Sequence, residues 1–225
     1  RKQVALKSSV KCLVKIKRTL QAYALARPTI RFSLRVLKAK NDKGNWIYAP
    51  KPGAGVEDAA FKVVGKDCAS QCRWSILESA GFEVQAFLPK PDADCARISN
   101  IGHFLSIDSR PVSTTRGVLK QVITLFKENL RGVSPHLQNA KDPFICINIV
   151  CPPESYDPNV EPAKDDVMFE DSSLVLAAAE KLFSTVYVPT TIEQAATEAQ
   201  VGRHEAGHFS VGPDIARSYD DEITE

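Results

Sequence analysis

Two neighbouring segments repeat their apolar residues with different periods, and together they restrict the chain to folds that combine helices with a sheet. Residues 115–130 carry an apolar residue every three to four positions, the spacing that places side chains on one face of an α-helix. These residues are Val118, Leu119, Val122, Leu125 and Phe126. Residues 144–151 form a strand-length apolar run of the kind found in buried strands. We therefore predict a helix followed by a buried strand.

Similar patterns divide the rest of the chain. Helical spacing is predicted for 7–26 and 56–72, and for a last helix capped by Asp171 or Ser172 that runs to about Val186. Strands are predicted for 31–38, 46–48, 74–76, 82–88 and 104–107. The expected fold is of the α/β (α+β) class, with a mixed sheet and packed helices.

Length and composition favour one domain with a tail. The 225 residues, 44% of them hydrophobic, suffice for one core of ordinary size, which we place in residues 1–187. Residues 188–225 are predicted to be an acidic, weakly structured linker or tail. The chain starts with Arg1 and its only methionine is Met168, so we expect a piece of a longer polypeptide. No apolar run approaches the roughly 20 residues that span a bilayer, so no membrane association is expected.

Positive charge is concentrated at the start of the chain. Residues 1–41 contain twelve Lys or Arg and no Asp or Glu, although the net charge of the chain is only +2. Cations on one face neutralise DNA phosphates without reading sequence. No aromatic residue is interleaved with them as a stacking platform and no recognition-helix signature appears, so we predict double-stranded DNA bound without sequence specificity. The candidate residues here are Lys7, Lys11, Lys15, Lys17, Arg18, Arg31, Arg35 and Lys38.

Residues 159–169 carry the most specific pattern, Asn-Val-Glu-Pro-Ala-Lys-Asp-Asp-Val-Met-Phe. This segment resembles the N-V-x-P-x-K-x-x-V-x-F motif of the MutL (MutL/PMS) family of mismatch-repair ATPases, although Glu161 stands where histidine is commoner in the family. Two further segments are similar to the family in order and spacing: 24–34, with Ala-Leu-Ala-Arg-Pro and Arg-Phe-Ser-Leu, and 107–112, with Ile-Asp-Ser-Arg-Pro-Val. The resemblance covers roughly residues 1–187.

The resemblance implies a transducer domain similar to domain 2 of ribosomal protein S5, placed after a GHKL ATPase domain. In such proteins the loop lysine, here Lys164 with Asn159 and Pro162 beside it, contacts the γ-phosphate of ATP. ATP and Mg²⁺ would be bound mainly by the preceding domain, so the chain alone is expected not to be an enzyme and its parent to be an ATPase. Arg116 and Lys120 fall where the family binds DNA.

The resemblance also implies partners and a location. The expected partners are double-stranded DNA, a second MutL-family chain (a paralogue or a copy of itself) in a dimer, and a MutS-type mismatch-recognition protein. The expected function is DNA mismatch repair, in which ATP binding is coupled to DNA binding and dimer closure. The expected location is the nucleus, or the cytoplasm if the protein is bacterial.

Other interpretations stay open at this point. A type II topoisomerase transducer also uses a loop lysine, and a plain DNA-binding module needs no nucleotide. His204, Glu205 and His208 match the H-E-x-x-H pattern of zinc hydrolases. That motif needs a rigid helix and a third ligand, whereas here Gly207 and the polar surroundings disfavour a helix, so no metal site is predicted. Cys68 and Cys72 lie four residues apart without a second pair and are interpreted as reduced thiols.

Overall fold

A computed structural model describes residues 9–37, 41, 44–159 and 166–188. Its helices are α1 (Ser9–Ala26), α2 (Val56–Val63), α3 (Lys66–Ala69), α4 (Cys95–Ile98), α5 (Gly117–Val133) and α6 (Ser172–Val186), with a 3₁₀ turn at Pro135–Leu137. Its strands are β1 (Phe32–Leu34), β2 (Trp46–Tyr48), β3 (Cys72–Ser79), β4 (Phe82–Pro89), β5 (His103–Ile107), β6 (Arg110–Val112), β7 (Ile145–Val150), β8 (Tyr156–Asp157) and β9 (Met168–Phe169). The predicted α/β class is confirmed.

Five strands form a mixed sheet in the order β3-β4-β7-β5-β6. The β3–β4, β4–β7 and β5–β6 pairs are antiparallel, whereas β5 and β7 run parallel, with His103 opposite Ile145. A parallel pair needs a crossover connection, and α5 supplies it. Because β5 and β7 are parallel, both end at the same edge of the sheet, and the candidate site lies there.

Helices α5 and α6 cover one face of the sheet. Their inward side chains are Leu119, Val122, Ile123, Phe126, Leu130 and Val133 on α5, and Val175, Ala178, Ala179, Leu182, Phe183 and Val186 on α6. The rings of Phe126 and Phe183 lie 5.8 Å apart between the two helices. Asp171 caps α6, since its carboxylate accepts a hydrogen bond from the Ser173 amide at 2.9 Å. The apolar residues of the helix predicted for 115–130 therefore face the core. The predicted cap of the last helix is confirmed.

A second core occupies the other face, under α1, α2, α3 and the β1–β2 hairpin. Three buried aromatic rings form its centre: Phe144 lies 6.2 Å from Phe87 and 6.2 Å from Phe104, in edge-to-face geometry. Ala24 and Leu25, near the end of α1, pack into the same cluster. These contacts fix the position of the cation-rich first helix relative to the sheet.

Two sequence predictions were wrong in detail. Residues 56–72 form two short helices and a strand start instead of one helix, because Gly65 has a φ of 88°, in a region open mainly to glycine. The strand predicted for 31–38 is limited among the described residues to Phe32–Leu34, since β2 offers only three pairing residues, Trp46 to Tyr48. Among the described residues, no helix combines the length and apolarity that a membrane span requires.

Candidate functional site

The loop that carries the family-like motif lies between β8 and β9. Tyr156 pairs with Phe169 and Asp157 with Met168, and these antiparallel pairs bring the two bases of the loop together. The Asn159 amide donates to the Asp157 carboxylate at 2.7 Å, which turns the chain as it leaves β8. Residues 160–165, including Pro162 and Lys164, lie outside the described residues. The structure thus defines the two bases of the segment that contains Lys164.

Asp108, in the β5–β6 turn, anchors the first base of the loop. Its carboxylate accepts hydrogen bonds from the Tyr156 hydroxyl at 2.7 Å and from the Cys151 amide at 3.0 Å. Burial, followed by the hydrogen bond and negative charge of Asp108, raises the pKa of Tyr156 to about 12, so the phenol stays a donor at neutral pH. Asp108 adopts a left-handed φ of 48°, which short polar side chains tolerate best. This turn therefore fixes where β8 begins.

Two arginines tie the ends of the loop to neighbouring elements. Arg116, immediately before α5, pairs with the Asp166 carboxylate at 3.0 Å. Arg110, on β6, donates to the Pro158 carbonyl at 3.5 Å. Both bases of the loop are thus bound to the segment between β6 and α5. The pairing also neutralises Asp166, which otherwise would place an uncompensated negative charge beside the loop that carries Lys164.

The second residue of the turn faces the other side of the sheet edge. The Ser109 amide donates to Asn148 Oδ1 at 2.8 Å, and the Ser109 carbonyl accepts from Arg27 Nε at 3.2 Å. Asn148 lies on β7 and Arg27 directly follows α1. The two-residue turn Asp108-Ser109 thus joins the first base of the loop, the central strand and the residue after the first helix.

The predicted DNA-contacting cations lie in several parts of the surface. Lys11, Lys15 and Lys17 are exposed on α1, Arg31 and Arg35 flank β1 and are exposed, and Lys120 is exposed on the first turn of α5. Arg116 is exposed but engaged with Asp166. Lys7 and Lys38 lie outside the described residues. Most of the described candidates are therefore placed where they can face a polyanion.

Arg18 differs from the other predicted cations. Its guanidinium lies 3.6 Å from the centre of the Phe104 ring and donates to the His103 carbonyl at 3.3 Å. Burial lowers the pKa of this guanidinium from its usual value. A cation held over an aromatic face fixes packing more than it recruits phosphate. The geometry assigns Arg18 to joining α1 and β5.

A shallow groove runs beside Arg18 between α1 and the segment that leads into α5. It measures about 470 Å³ and is lined by Thr19, Ser113, Thr114 and Thr115; the Thr19 hydroxyl donates to the Lys15 carbonyl, and the hydroxyls of Ser113 and Thr115 bond each other. Lys120 follows this segment on the exposed side of α5. Its own lining cation, Arg18, is engaged with Phe104 and His103, so phosphate contact along this path depends on the exposed cations of α1 and α5 on either side.

His103 lines the same groove and is expected to make the fold sensitive to acid. Its Nε2 is buried and has no hydrogen-bond partner within the described part of the chain. Burial first, and then the positive charges of Lys127 and Arg18, lower the pKa of His103 to about 4 against the opposing charge of Asp142. The unfolded imidazole has a pKa near 6.5. The folded state therefore binds fewer protons than the unfolded state between these values.

We expect the free energy of unfolding to fall as the pH drops from about 6.5 towards 4, because protonation favours the unfolded chain in that window. The stability that neutral His103 contributes to the fold is fully present above a pH of about 6.5. In His103→Asn the urea midpoint is expected to depend less on pH across this window, whereas His136→Asn, at an exposed histidine, keeps the wild-type dependence. Identical pH profiles for wild type and His103→Asn would contradict the assignment.

The remaining metal and cysteine predictions divide between described and undescribed residues. Cys68 and Cys72 are buried free thiols, and the Cys72 thiol donates to the Cys68 carbonyl at 3.4 Å. Within the ranges that the structure describes, no group of three or more potential metal-ligating side chains comes together. His204, Glu205 and His208 lie outside those ranges.

Sequence reasoning missed the residues that anchor the loop. Asp108 and Arg110 lie in a segment that was noted only for its similarity to the family, and no sequence pattern indicated a role for Tyr156. The Asp-Ser pair before Arg-Pro is a turn signal that marks the site of the anchor. Its partners on β8 and after β7 are distant in sequence, so no local pattern indicates them.

Known proteins resemble the chain in sequence and in fold. Residues 60–187 match the model of the family "DNA mismatch repair protein, C-terminal domain". The chain is 28% identical over 168 residues to the DNA mismatch repair protein MutL of Halobacterium salinarum, covering 73% of this chain and 23% of that protein. It is 26% identical over 125 residues to MutL of Thermus thermophilus, covering 56% and 21%.

A solved structure described as the N-terminal domain of a DNA repair protein superposes with a TM-score of 0.62 at 16% identity, over 83% of this chain and 56% of that one. At that identity the likeness concerns the fold alone. The chain spans about a quarter of the length of the curated relatives it matches. The matched family segment runs from α2 through α6 and contains the loop bases and the Asp108-Ser109 turn. The chain therefore belongs to the family of MutL-type DNA mismatch repair proteins.

Proposed function

We propose that this chain is the transducer domain of a mismatch-repair ATPase, in which Lys164 contacts the γ-phosphate of ATP held by a preceding domain. The loop couples ATP binding to DNA binding and dimer closure. The observation that carries the proposal is the double anchoring of the loop bases, by Asp108 and Arg110 on the β8 side and by Arg116 on the β9 side. A sensor must be held at a defined place if it is to respond to a single phosphate.

The chemistry of the loop fits an anionic ligand. The lysine ammonium is a compact charge on a long stem, suited to a phosphate that is present before hydrolysis and absent afterwards. The pairing of Asp166 with Arg116 removes a negative charge that would otherwise repel a phosphate near the loop. Lys164 gains a partner in the ATP state only, so that state favours docking of the two domains. ATP supplies the reacting phosphoryl group, and Mg²⁺ would be held mainly by the preceding domain.

The same ion pair offers a path from the loop to the DNA-facing surface. Arg116 precedes α5, and Lys120 lies four residues later on the first turn of that helix. A displacement of Asp166 pulls on Arg116 and so on the start of α5. In this arrangement the loop and the groove beside α1 share one connecting residue, through which ATP occupancy alters the binding of DNA.

The exposed cations on α1, together with Arg31, Arg35 and Lys120, support contact with the DNA backbone. Partners of the full-length protein, by this proposal, are double-stranded DNA, a second MutL-type chain and a MutS-type protein. Relatives from archaea and bacteria favour the cytoplasm over the nucleus as the location. By this proposal the parent protein is an ATPase, and this domain contributes Lys164 to a site that is built mainly by the preceding domain.

We expect Lys11→Ala, Lys15→Ala and Lys17→Ala combined to weaken binding of a short DNA duplex and to reduce its salt dependence. Each DNA phosphate that is no longer neutralised lowers the slope of log K against log[salt] by about 0.9. Affinity is measured by fluorescence anisotropy across a salt series. The matched control replaces three exposed lysines outside α1, Lys51, Lys62 and Lys66, by alanine. An unchanged slope in the α1 variant, or an equal decrease in the control, would reject the surface.

A further inference from the structure

We propose that a cavity on the α1 face of the sheet binds a basic segment of another protein by taking up an arginine or lysine side chain. The cavity measures about 600 Å³ and lies between the end of α1, the start of α2 and strands β3, β4 and β7. That volume falls within the range of about 300 to 1,000 Å³ typical of ligand sites. It is distinct from the groove beside Arg18.

The charge of the cavity selects a cation. Among its lining residues, Glu57 and Asp58 carry the charged side chains, and both are acidic. Asp58 is held in place, since its Oδ2 accepts a hydrogen bond from the Gly55 amide at 2.9 Å. Both carboxylates belong to the first turn of α2, where they balance the positive end of the helix. A phosphate or a DNA backbone would meet like charge here.

The wall formed by β3 is apolar and open. Trp74 is 36% exposed and Ile76 is 53% exposed on the face opposite α6, whereas Trp46, the other tryptophan, is 7% exposed. Tryptophan offers the best aromatic face for a guanidinium or ammonium group, and Ile76 can pack against the aliphatic stem of the same side chain. An exposed tryptophan beside two carboxylates is thus matched to an amphipathic cation.

The floor of the cavity is a fixed row of polar groups. Asn148 Oδ1 accepts from the Ser106 hydroxyl and from the Ser109 amide, each at 2.8 Å, and Asn148 Nδ2 donates to Gln85 Oε1 at 3.1 Å. Gln85 Nε2 in turn donates to the Glu83 carboxylate. The chain of bonds orients both amides before any partner arrives, which reduces the ordering cost of binding. Preorganised amides next to Trp74 can bond the backbone of an extended peptide.

The experiment uses the whole chain and a defined probe. A blocked pentapeptide, Gly-Arg-Gly-Arg-Gly, is titrated while the indole N–H signals of the two tryptophans and the side-chain amides of Gln85 and Asn148 are followed by NMR. We expect the Trp74, Gln85 and Asn148 signals to move and the Trp46 signal to stay. A Glu57→Gln, Asp58→Asn double variant, whose amides retain the size of the carboxylates, is expected to bind at least several-fold more weakly. The same peptide with glutamine in place of arginine is expected not to bind.

Four outcomes would overturn the proposal: no shift of Trp74 with millimolar peptide, equal binding of the glutamine peptide, unchanged binding by the double variant, or displacement of the same signals by a short DNA duplex instead of the peptide. Concentration-dependent shifts without any peptide would indicate a second copy as the occupant and would also reject it. Trp74→Phe keeps an aromatic face and serves as the assignment control for the indole signal.

Discussion

Replacement of Lys164 by alanine in the full-length protein is expected to lower steady-state ATP turnover on the order of 10²-fold, the usual effect of deleting one donor to a charged transition state. The lysine is proposed to meet the γ-phosphate from a loop whose first base is fixed by Asp108 and Arg110 and whose second base is fixed by Arg116. ATP-dependent closure of the dimer is expected to disappear in parallel. ATP turnover is measured by phosphate release, and dimer closure is measured by cross-linking in the presence of a non-hydrolysable nucleotide.

Lys181→Ala provides the matched control for Lys164→Ala. Lys181 is exposed on α6, and that helix packs on the face of the sheet opposite to the cation-rich first helix. Its replacement removes the same charge and the same stem, so ATP turnover and closure should equal those of the wild type. Wild-type turnover and closure in Lys164→Ala would refute the sensor role, and equal decreases in both variants would assign the effect to net charge.

Phe144→Ala is expected to destabilise the fold by about 3–5 kcal/mol, the usual cost of deleting a buried phenylalanine. The ring is fully buried and touches Phe87 and Phe104 edge to face. Phe104 carries the Arg18 guanidinium on its own face, so removal of the Phe144 ring loosens the attachment of α1 as well as the core. Equilibrium unfolding in urea measures the change.

Phe61→Ala is the control for this substitution, because Phe61 is 45% exposed on α2. Its replacement should change the free energy of unfolding by only about 0.5 kcal/mol. A small effect at Phe144 would mean that the aromatic cluster is not the centre of the second core. Comparison of the two variants thus separates the effect of burial from the effect of losing an aromatic ring.

Local patterns predicted the elements that bury a whole face. The helix predicted for 115–130 appears as Gly117–Val133, and the strand predicted for 144–151 as Ile145–Val150, because their apolar residues face a core directly. The strand predicted for 74–76 extends to Cys72–Ser79, since β4 supplies an eight-residue partner in full register. That extension depends on pairing, which a single segment does not reveal.

The candidate site could be predicted only in part for the same reason. The motif at 159–169 indicated the loop, yet its anchors lie about fifty residues earlier in the chain. Arg18 was grouped with the DNA-facing cations by sequence, and only its contact with Phe104, across 86 positions, distinguishes it. Solvent exposure is set by the packing of the fold, so a run of basic residues in the sequence does not show which of them face solvent.

The contacts that anchor the loop are made on either side of it, and this has an evolutionary consequence. The described hydrogen bonds and the ion pair hold residues 156–158 and 166, whereas Glu161, where the family more often has histidine, lies between them. Substitutions inside the loop therefore leave these contacts in place. If the loop is the proposed sensor, natural variation there can retune its affinity and speed while the scaffold is inherited unchanged.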